Sequence, residues 1–415
     1  CFALRCEPPS ERPGGGSCRR LIRSPSQENC VQFTAPIAIT TLCRSPAQEY
    51  FVQFTAAVRL GRQPTPSMPR FEASVQVILA TMLALLTAVA QATVGLAEIE
   101  GFDGDEPVTV YFPSSSASQP VLRDSIQLDV ALNGIPVRGN GRLIVISHGS
   151  PASPWVYADL ARNMVDAGYV VAFPEHFADN YKNDSEPGPP SWKRRPFEVS
   201  RAIDVIGRDA RFGPLLTLDK VGMYGMSAGG HTALTLAGGR WSPAELRRHC
   251  ESHIAEDFQT CAGLSTQLTG GFLDGLKRRI VLAVLRGKLT DEAWYSHTDP
   301  RIVAIVAGVP FAADFDMASF GAIGVSLGIV TARADRWLIP RFHSDKVLQA
   351  CPRCVRVADI ENGGHGALLS PLLPTTSGLI AELIGDPPGF DRARAVPDLN
   401  GKITSFFQKH LAAPR

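Results

Sequence analysis

No segment constrains this chain more than Gly225-Met226-Ser227-Ala228-Gly229. The apolar run Lys220-Val221-Gly222-Met223-Tyr224 leads into it, and Gly230-His231-Thr232-Ala233-Leu234-Thr235-Leu236 leads out. The pattern reads as strand, sharp turn and helix, with a serine at the apex. A Cβ on either flanking glycine would crowd so tight a turn. The serine Oγ then stands above a sheet, and the following helix points its positive end at any developing oxyanion. A second match, Gly324-Val325-Ser326-Leu327-Gly328, runs into Ile329-Val330-Thr331-Ala332, which has strand and not helix character. Ser326 therefore reads as a chance match at the entry to a buried strand, and Ser227 as the candidate nucleophile.

The 415 residues carry a formal net charge of +1, with 20% charged and 45% hydrophobic side chains. Such a balance predicts no nucleic-acid footprint and supplies ample apolar material for a large core. The charge is uneven along the chain. The first 92 residues hold nine arginines and five glutamates, so the remainder carries 32 basic against 35 acidic residues, a net of −3.

Residues 1–67 differ from the rest. They contain five of the nine cysteines and no lysine, and Arg23–Ala35 is echoed by Arg44–Ala56. Two copies are too few for a solenoid, and neither shows a helical or strand period. We expect an unstructured or non-native leader here; a small disulfide-rich module is the alternative. Met68 opens a signal-peptide pattern over 68–92: Arg70, an apolar region from Val75 to Val89, and the small-x-small site Ala90-Gln91-Ala92. The apolar stretch is short for a stable membrane span. The expected location is periplasmic or secreted, without a membrane anchor in the mature form.

Four cysteines remain in two close pairs, Cys250 with Cys261 and Cys351 with Cys354. In an oxidising compartment both pairs are expected as disulfides closing short loops. A redox motif at Cys351-Pro352-Arg353-Cys354 is the weaker reading, since it does not open a helix after a first strand. A four-cysteine zinc site requires the two pairs to meet in space.

From about residue 97 apolar strands alternate with helical segments. Strands are expected at 108–112, 126–130, 142–147, 169–173, 220–224, 301–309, 325–332 and 355–360, with helices at 155–167, 197–210 and 402–411. The near-continuous apolar run Leu143-Ile144-Val145-Ile146 suits a strand covered on both faces. Alternation of this kind predicts an α/β fold with a mostly parallel sheet and right-handed crossovers. Residues 241–299 interrupt the rhythm, beginning at Trp241-Ser242-Pro243-Ala244-Glu245, a helix start with Pro at its first position. We expect a helical lid-like insertion there.

A serine nucleophile needs a base, and the base needs a carboxylate to orient it. In a strand–Ser–helix architecture the chain order is Ser, acid, His. His365 lies in Asn362-Gly363-Gly364-His365-Gly366, directly after a strand, and is the candidate base. Asp335, just past the strand at 325–332, is the candidate acid, with Asp314 and Asp316 as alternatives. The oxyanion donors are expected to be the backbone N–H groups of Ala228 and of Ser150 in Ser147-His148-Gly149-Ser150. His148 reads as a residue bracing that loop. Trp155, Phe311 and Trp337 each follow a strand end or candidate catalytic residue, which makes them candidates for lining a substrate subsite.

In combination, the elbow, the Ser-His-Gly-Ser loop, Pro174-Glu175-His176 and Gly-Gly-His-Gly-Ala resemble the α/β-hydrolase superfamily over roughly residues 97–412. Within it the chain looks similar to bacterial proteins classed as predicted dienelactone hydrolases, and to the platelet-activating-factor acetylhydrolase and cutinase-like polyester-hydrolase branches. Dienelactone hydrolases proper use a cysteine nucleophile, and Ser227 departs from that pattern. What the resemblance implies is carboxylic-ester hydrolysis by Ser227, His365 and Asp335, with no metal or cofactor; a monomer is expected. Amidase, lipase and polyester depolymerase are alternatives on the same residues, and a non-catalytic binding protein of this fold is the rival outside enzymes. A helical lid points to small or medium esters in preference to polymers.

Overall fold

The computed structural model describes residues 20–23, 29–35, 38–44, 50–55, 92–373 and 377–412. The chain divides into two compact units, Cys1–Ala88 and Val89–Arg415. In the first, β1 (Arg20–Arg23), β2 (Asn29–Ala35), β3 (Ala38–Arg44) and β4 (Tyr50–Thr55) form an antiparallel sheet in that order. Regular structure was not expected there. The reason is legible in retrospect: both repeat copies carry Val-Gln-Phe-Thr, an alternating strand pattern, and the copies become β2 and β4 on either side of β3. The signal peptide expected over 68–92 lies outside the described residues, Ala92 excepted.

The second unit is built on a ten-stranded sheet. Its strands are β5 (Thr93–Ile99), β6 (Val108–Ser114), β7 (Gln119–Arg123), β8 (Ile126–Leu132), β9 (Leu143–Ser147), β10 (Val170–Pro174), β11 (Val221–Met226), β13 (Ile302–Gly308), β15 (Ser326–Ala332) and β16 (Val355–Ile360). The order is β16-β15-β13-β11-β9-β10-β6-β5-β8-β7. From β16 to β10 every neighbouring pair is parallel. Antiparallel β6 then joins β10, and β7 closes the far edge.

Covered on both faces, the central strands read as unbroken apolar runs, and β9, β10 and β11 are buried throughout. Alternation assigns the two faces. Leu143 and Val145 of β9 belong to one core, with α2 (Pro189–Arg208) and α3 (Ala228–Leu236). Ile144 and Ile146 belong to the other, with α1 (Ala158–Asp166) and α9 (Arg392–Leu411). Each fully buried Leu or Ile contributes roughly 1.5–3 kcal/mol.

Between α3 and β13 the insertion holds α4 (Pro243–His253), α5 (Phe258–Ala262) and α6 (Asp274–Lys288). The expected start is realised: Pro243 sits in the first turn of α4, and the Ser242 side chain accepts from the Ala244 N–H. Short β12 (Arg240–Trp241) pairs with β14 (Phe315–Asp316), tying the base of the insertion to the chain after β13. Disulfides join Cys250 to Cys261, linking α4 to α5, and Cys351 to Cys354, after α7 (Ser344–Ala350). Pairing in this way removes the four thiolates that a shared zinc site needs. Among the described residues no helix is long and apolar enough to cross a membrane.

Candidate active site

The loops at the carboxyl ends of the parallel strands converge here, where an open α/β sheet builds its sites. Ser227 follows β11 with φ 58° and ψ −116°, a left-handed conformation that costs a non-glycine residue of order 1–3 kcal/mol. Close packing on both sides enforces it. A Cβ on Gly225 would stand 1.9 Å from the Gly229 carbonyl oxygen, and one on Gly229 would stand 1.9 Å from that of Ser147. The Ser227 N–H donates to the Gly308 carbonyl at 3.0 Å, and its carbonyl accepts from Phe311 at 3.2 Å. Ser326 has none of these features; it simply opens β15.

His365 follows β16, and its Nδ1–H donates to Asp335 Oδ2 at 2.8 Å. A carboxylate only accepts, so in the neutral ring Nε2 is the lone-pair nitrogen. The other oxygen, Asp335 Oδ1, accepts the N–H groups of Trp337 (2.8 Å) and Leu338 (3.0 Å), which locks the carboxylate in place. Both side chains are buried. The alternative acids serve other partners: Asp314 binds His231 Nε2 at 3.1 Å, and Asp316 binds Arg240 and caps a 3-10 turn at Ala318.

Ser150 and Ala228 line the same cavity as Ser227 and His365, and neither backbone N–H has a protein acceptor among the described residues. Sequence reasoning missed the groups that hold the Ser150 loop. Arg195, fully buried on α2, donates to the His148 carbonyl at 2.6 Å and to Asp179 Oδ2 at 2.8 Å. The Ser150 hydroxyl donates to Asp179 in turn. The Gly149 N–H donates to Tyr157 Oη at 2.9 Å. His148 Nδ1–H donates to the Gly149 carbonyl at 2.7 Å, the bracing part expected of it.

Beneath that loop His176 links the Ser147 hydroxyl (2.7 Å) to Glu198 (2.5 Å). Burial pushes the Glu198 carboxyl up to about 7, only partly offset by Arg195. Burial likewise drives His148 and His176 well below the ordinary histidine value, with Arg195 adding to both. Both imidazoles are therefore neutral, and Arg195 supplies a positive charge under the loop. Only its fixed pairing with Asp179 could have pointed to it, and their spacing of 16 residues carries no motif.

The cavity has a volume of about 560 Å3. Phe311 and Trp337 line it, and Trp192, Leu246, Leu285 and Leu289 supply further apolar wall. Leu246, the segment 259–265, Leu285, Lys288 and Leu289 come from the insertion, so the 241–299 segment does border the site. Trp155 is a correction. It lies in the 3-10 turn Pro154–Tyr157, all four residues of which are buried, and it joins the core on the α1 face, with Arg123 over its ring at 5.5 Å. It does not line the cavity.

No family model and no curated protein sequence matches the chain. A solved structure, a ferulic acid esterase from Streptomyces cinnamoneus, aligns with 78% of this chain and 91% of its own, at 14% identity and a TM-score of 0.50. At that identity the likeness shows the fold alone. Together with the sheet order and the strand–Ser227–helix junction, it makes this the α/β-hydrolase fold.

Proposed function

We propose that the chain is a serine hydrolase of carboxylic esters, with its activity in residues 93–415. One observation carries the reading. A backbone-strained Ser227 shares a cavity with His365, whose Nδ1 is held 2.8 Å from Asp335. Ser227 Oγ attacks the acyl carbon while His365 Nε2 takes its proton, and Asp335 orients the ring and stabilises the imidazolium. The N–H groups of Ser150 and Ala228 bind the oxyanion, aided by the N-terminus of α3. When the tetrahedral adduct collapses, the bond to the leaving oxygen breaks and His365 returns the proton to it. Water repeats the sequence on the acyl-enzyme and frees the acid.

Apolar walls at Trp192, Leu289 and Phe311 suit the acyl part of a discrete ester. The insertion, which we read as a lid, borders the cavity and weighs against a polymer chain. A ferulic acid esterase sharing this fold is in keeping with an ester substrate. The Ser nucleophile fits the dienelactone-hydrolase-like branch without its dienelactone substrate. Two disulfides support a periplasmic or secreted protein.

Hydrolysis of p-nitrophenyl esters from acetate through palmitate, by wild type, Ser227→Ala and Ser326→Ala, tests the reading. Turnover abolished only by Ser227→Ala is expected, with a loss of roughly 10⁴-fold or more. A folded protein inactive on every ester, or one whose turnover survives Ser227→Ala, defeats it.

A further inference from the structure

A second cavity, also about 560 Å3, meets the first at Gln259, Trp337, His365 and Leu383. It reaches neither Ser227 nor the two oxyanion residues, and its wall is different in kind. Where the first cavity is largely aliphatic and aromatic, the second carries Glu256, Gln267, Arg336, Glu382 and Asp386. Arg341 holds Glu256 at 2.6 Å and Arg392 holds Asp386 at 2.9 Å. Gln267 Nε2 donates to Glu382 Oε1 at 3.1 Å, leaving that carboxylate further lone pairs to offer.

The proposed reaction divides the two spaces. The carbonyl oxygen must sit against Ser150 and Ala228, which border only the first cavity. The leaving oxygen must instead collect its proton from His365, which borders both. We infer that the second cavity holds the departing alcohol, and that its carboxylate-rich wall selects a neutral polyhydroxylated alcohol. This rests on the serine-esterase reading. Hydroxyl groups donate to Glu382 and accept from Gln267 and Arg336, whereas an alkyl alcohol leaves these groups without exchange for their water. With Glu256 and Asp386 paired to Arg341 and Arg392, and Glu382 and Arg336 of opposite sign, the wall carries no excess charge that would favour a charged alcohol.

The test holds the acid constant and varies the alcohol: 1-glyceryl, n-propyl, choline and p-nitrophenyl butyrate, each rate normalised to its alkaline hydrolysis. The glyceryl ester is expected to exceed the propyl ester in kcat/KM by about 10-fold, the worth of one charge-assisted hydrogen bond. In Gln267→Leu/Glu382→Leu that ratio falls to about 1, while p-nitrophenyl butyrate changes by less than about 2-fold. Glu382 is exposed, so the change spares the core. Equal wild-type rates on glyceryl and propyl esters overturn the inference, as does preference for the choline ester or a double variant that slows all esters alike. Ser227-dependent turnover of p-nitrophenyl butyrate in those cases leaves the esterase reading standing. Its absence removes both.

Discussion

Ser227 sits where three backbone segments crowd together, and the flanking glycines are the reason they can. Gly229→Ala drives a Cβ into the Ser147 carbonyl, at the root of the loop that presents Ser150. We expect the loop to yield before the central strand does, with kcat falling roughly 10²-fold or more as an oxyanion donor is displaced. A KM change alone, with kcat intact, would contradict that. Arg195 acts on the same loop from below. Arg195→Met strands Asp179 as an unpaired buried charge, which costs on the order of 3–5 kcal/mol. Thermal unfolding should show the loss, and Arg195→Met/Asp179→Leu should recover much of it. Ser227, Asp335 and His365 were legible because each lies directly after a strand in a chain order that the chemistry dictates. Arg195, Asp179 and Glu198 were not, since buried polar pairing between distant residues leaves no local pattern. Trp155 misled because nothing in its sequence position distinguishes a wall of the site from a wall of the core.

Among the elements, two long helices exceeded their expected bounds for one shared reason. Helix α2 begins at Pro189 and α9 at Arg392, well before the expected 197 and 402, and each contains an internal proline, Pro196 or Pro397. Proline removes a helical N–H and reads as a stop. Here burial of the apolar stripe outweighs it. The insertion, whose start was legible from Ser242-Pro243, is anchored by a cluster that was not. Asp257 accepts from His249 Nε2 at 2.7 Å and from Thr260 at 2.9 Å, and Thr260 meets His343 Nε2 at 2.9 Å on the far side of the cavity wall.

Burial acts to raise the Asp257 carboxyl, but the hydrogen bonds from His249 and His343 outweigh it and hold the group at about 2, below its ordinary 3.8. A depressed acid lends stability that is complete above the unfolded value and lost as pH falls. The contribution, about 2 kcal/mol, should therefore disappear between about pH 4 and pH 2. Urea unfolding across that range, in wild type and Asp257→Asn, measures it; a variant with the wild-type pH slope would contradict the assignment. Reduction of Cys250–Cys261, whose cysteines lie 11 positions apart, should loosen the same region by roughly 2–3 kcal/mol. Hydrogen exchange in α4 and α5 is the readout.

At the scale of the whole molecule, the alternation of strands and helices from about residue 97 was enough to expect a parallel, doubly covered sheet. Apolar runs that alternate between two cores cannot be satisfied any other way. The strands β5 and β7 were harder to see; β7, at the edge of the sheet, carries three exposed residues in five. Residues 93–415, expressed alone, should keep the far-ultraviolet spectrum and turnover of this unit; aggregation of the shortened chain would show that the first unit is needed. The central claim, that Ser227 is an activated nucleophile, is tested most directly by intact-mass and peptide analysis after reaction with a fluorophosphonate. The account predicts one adduct per chain, on Ser227, formed far more slowly in His365→Ala. No adduct on folded protein, or one on another serine such as Ser326, would contradict it.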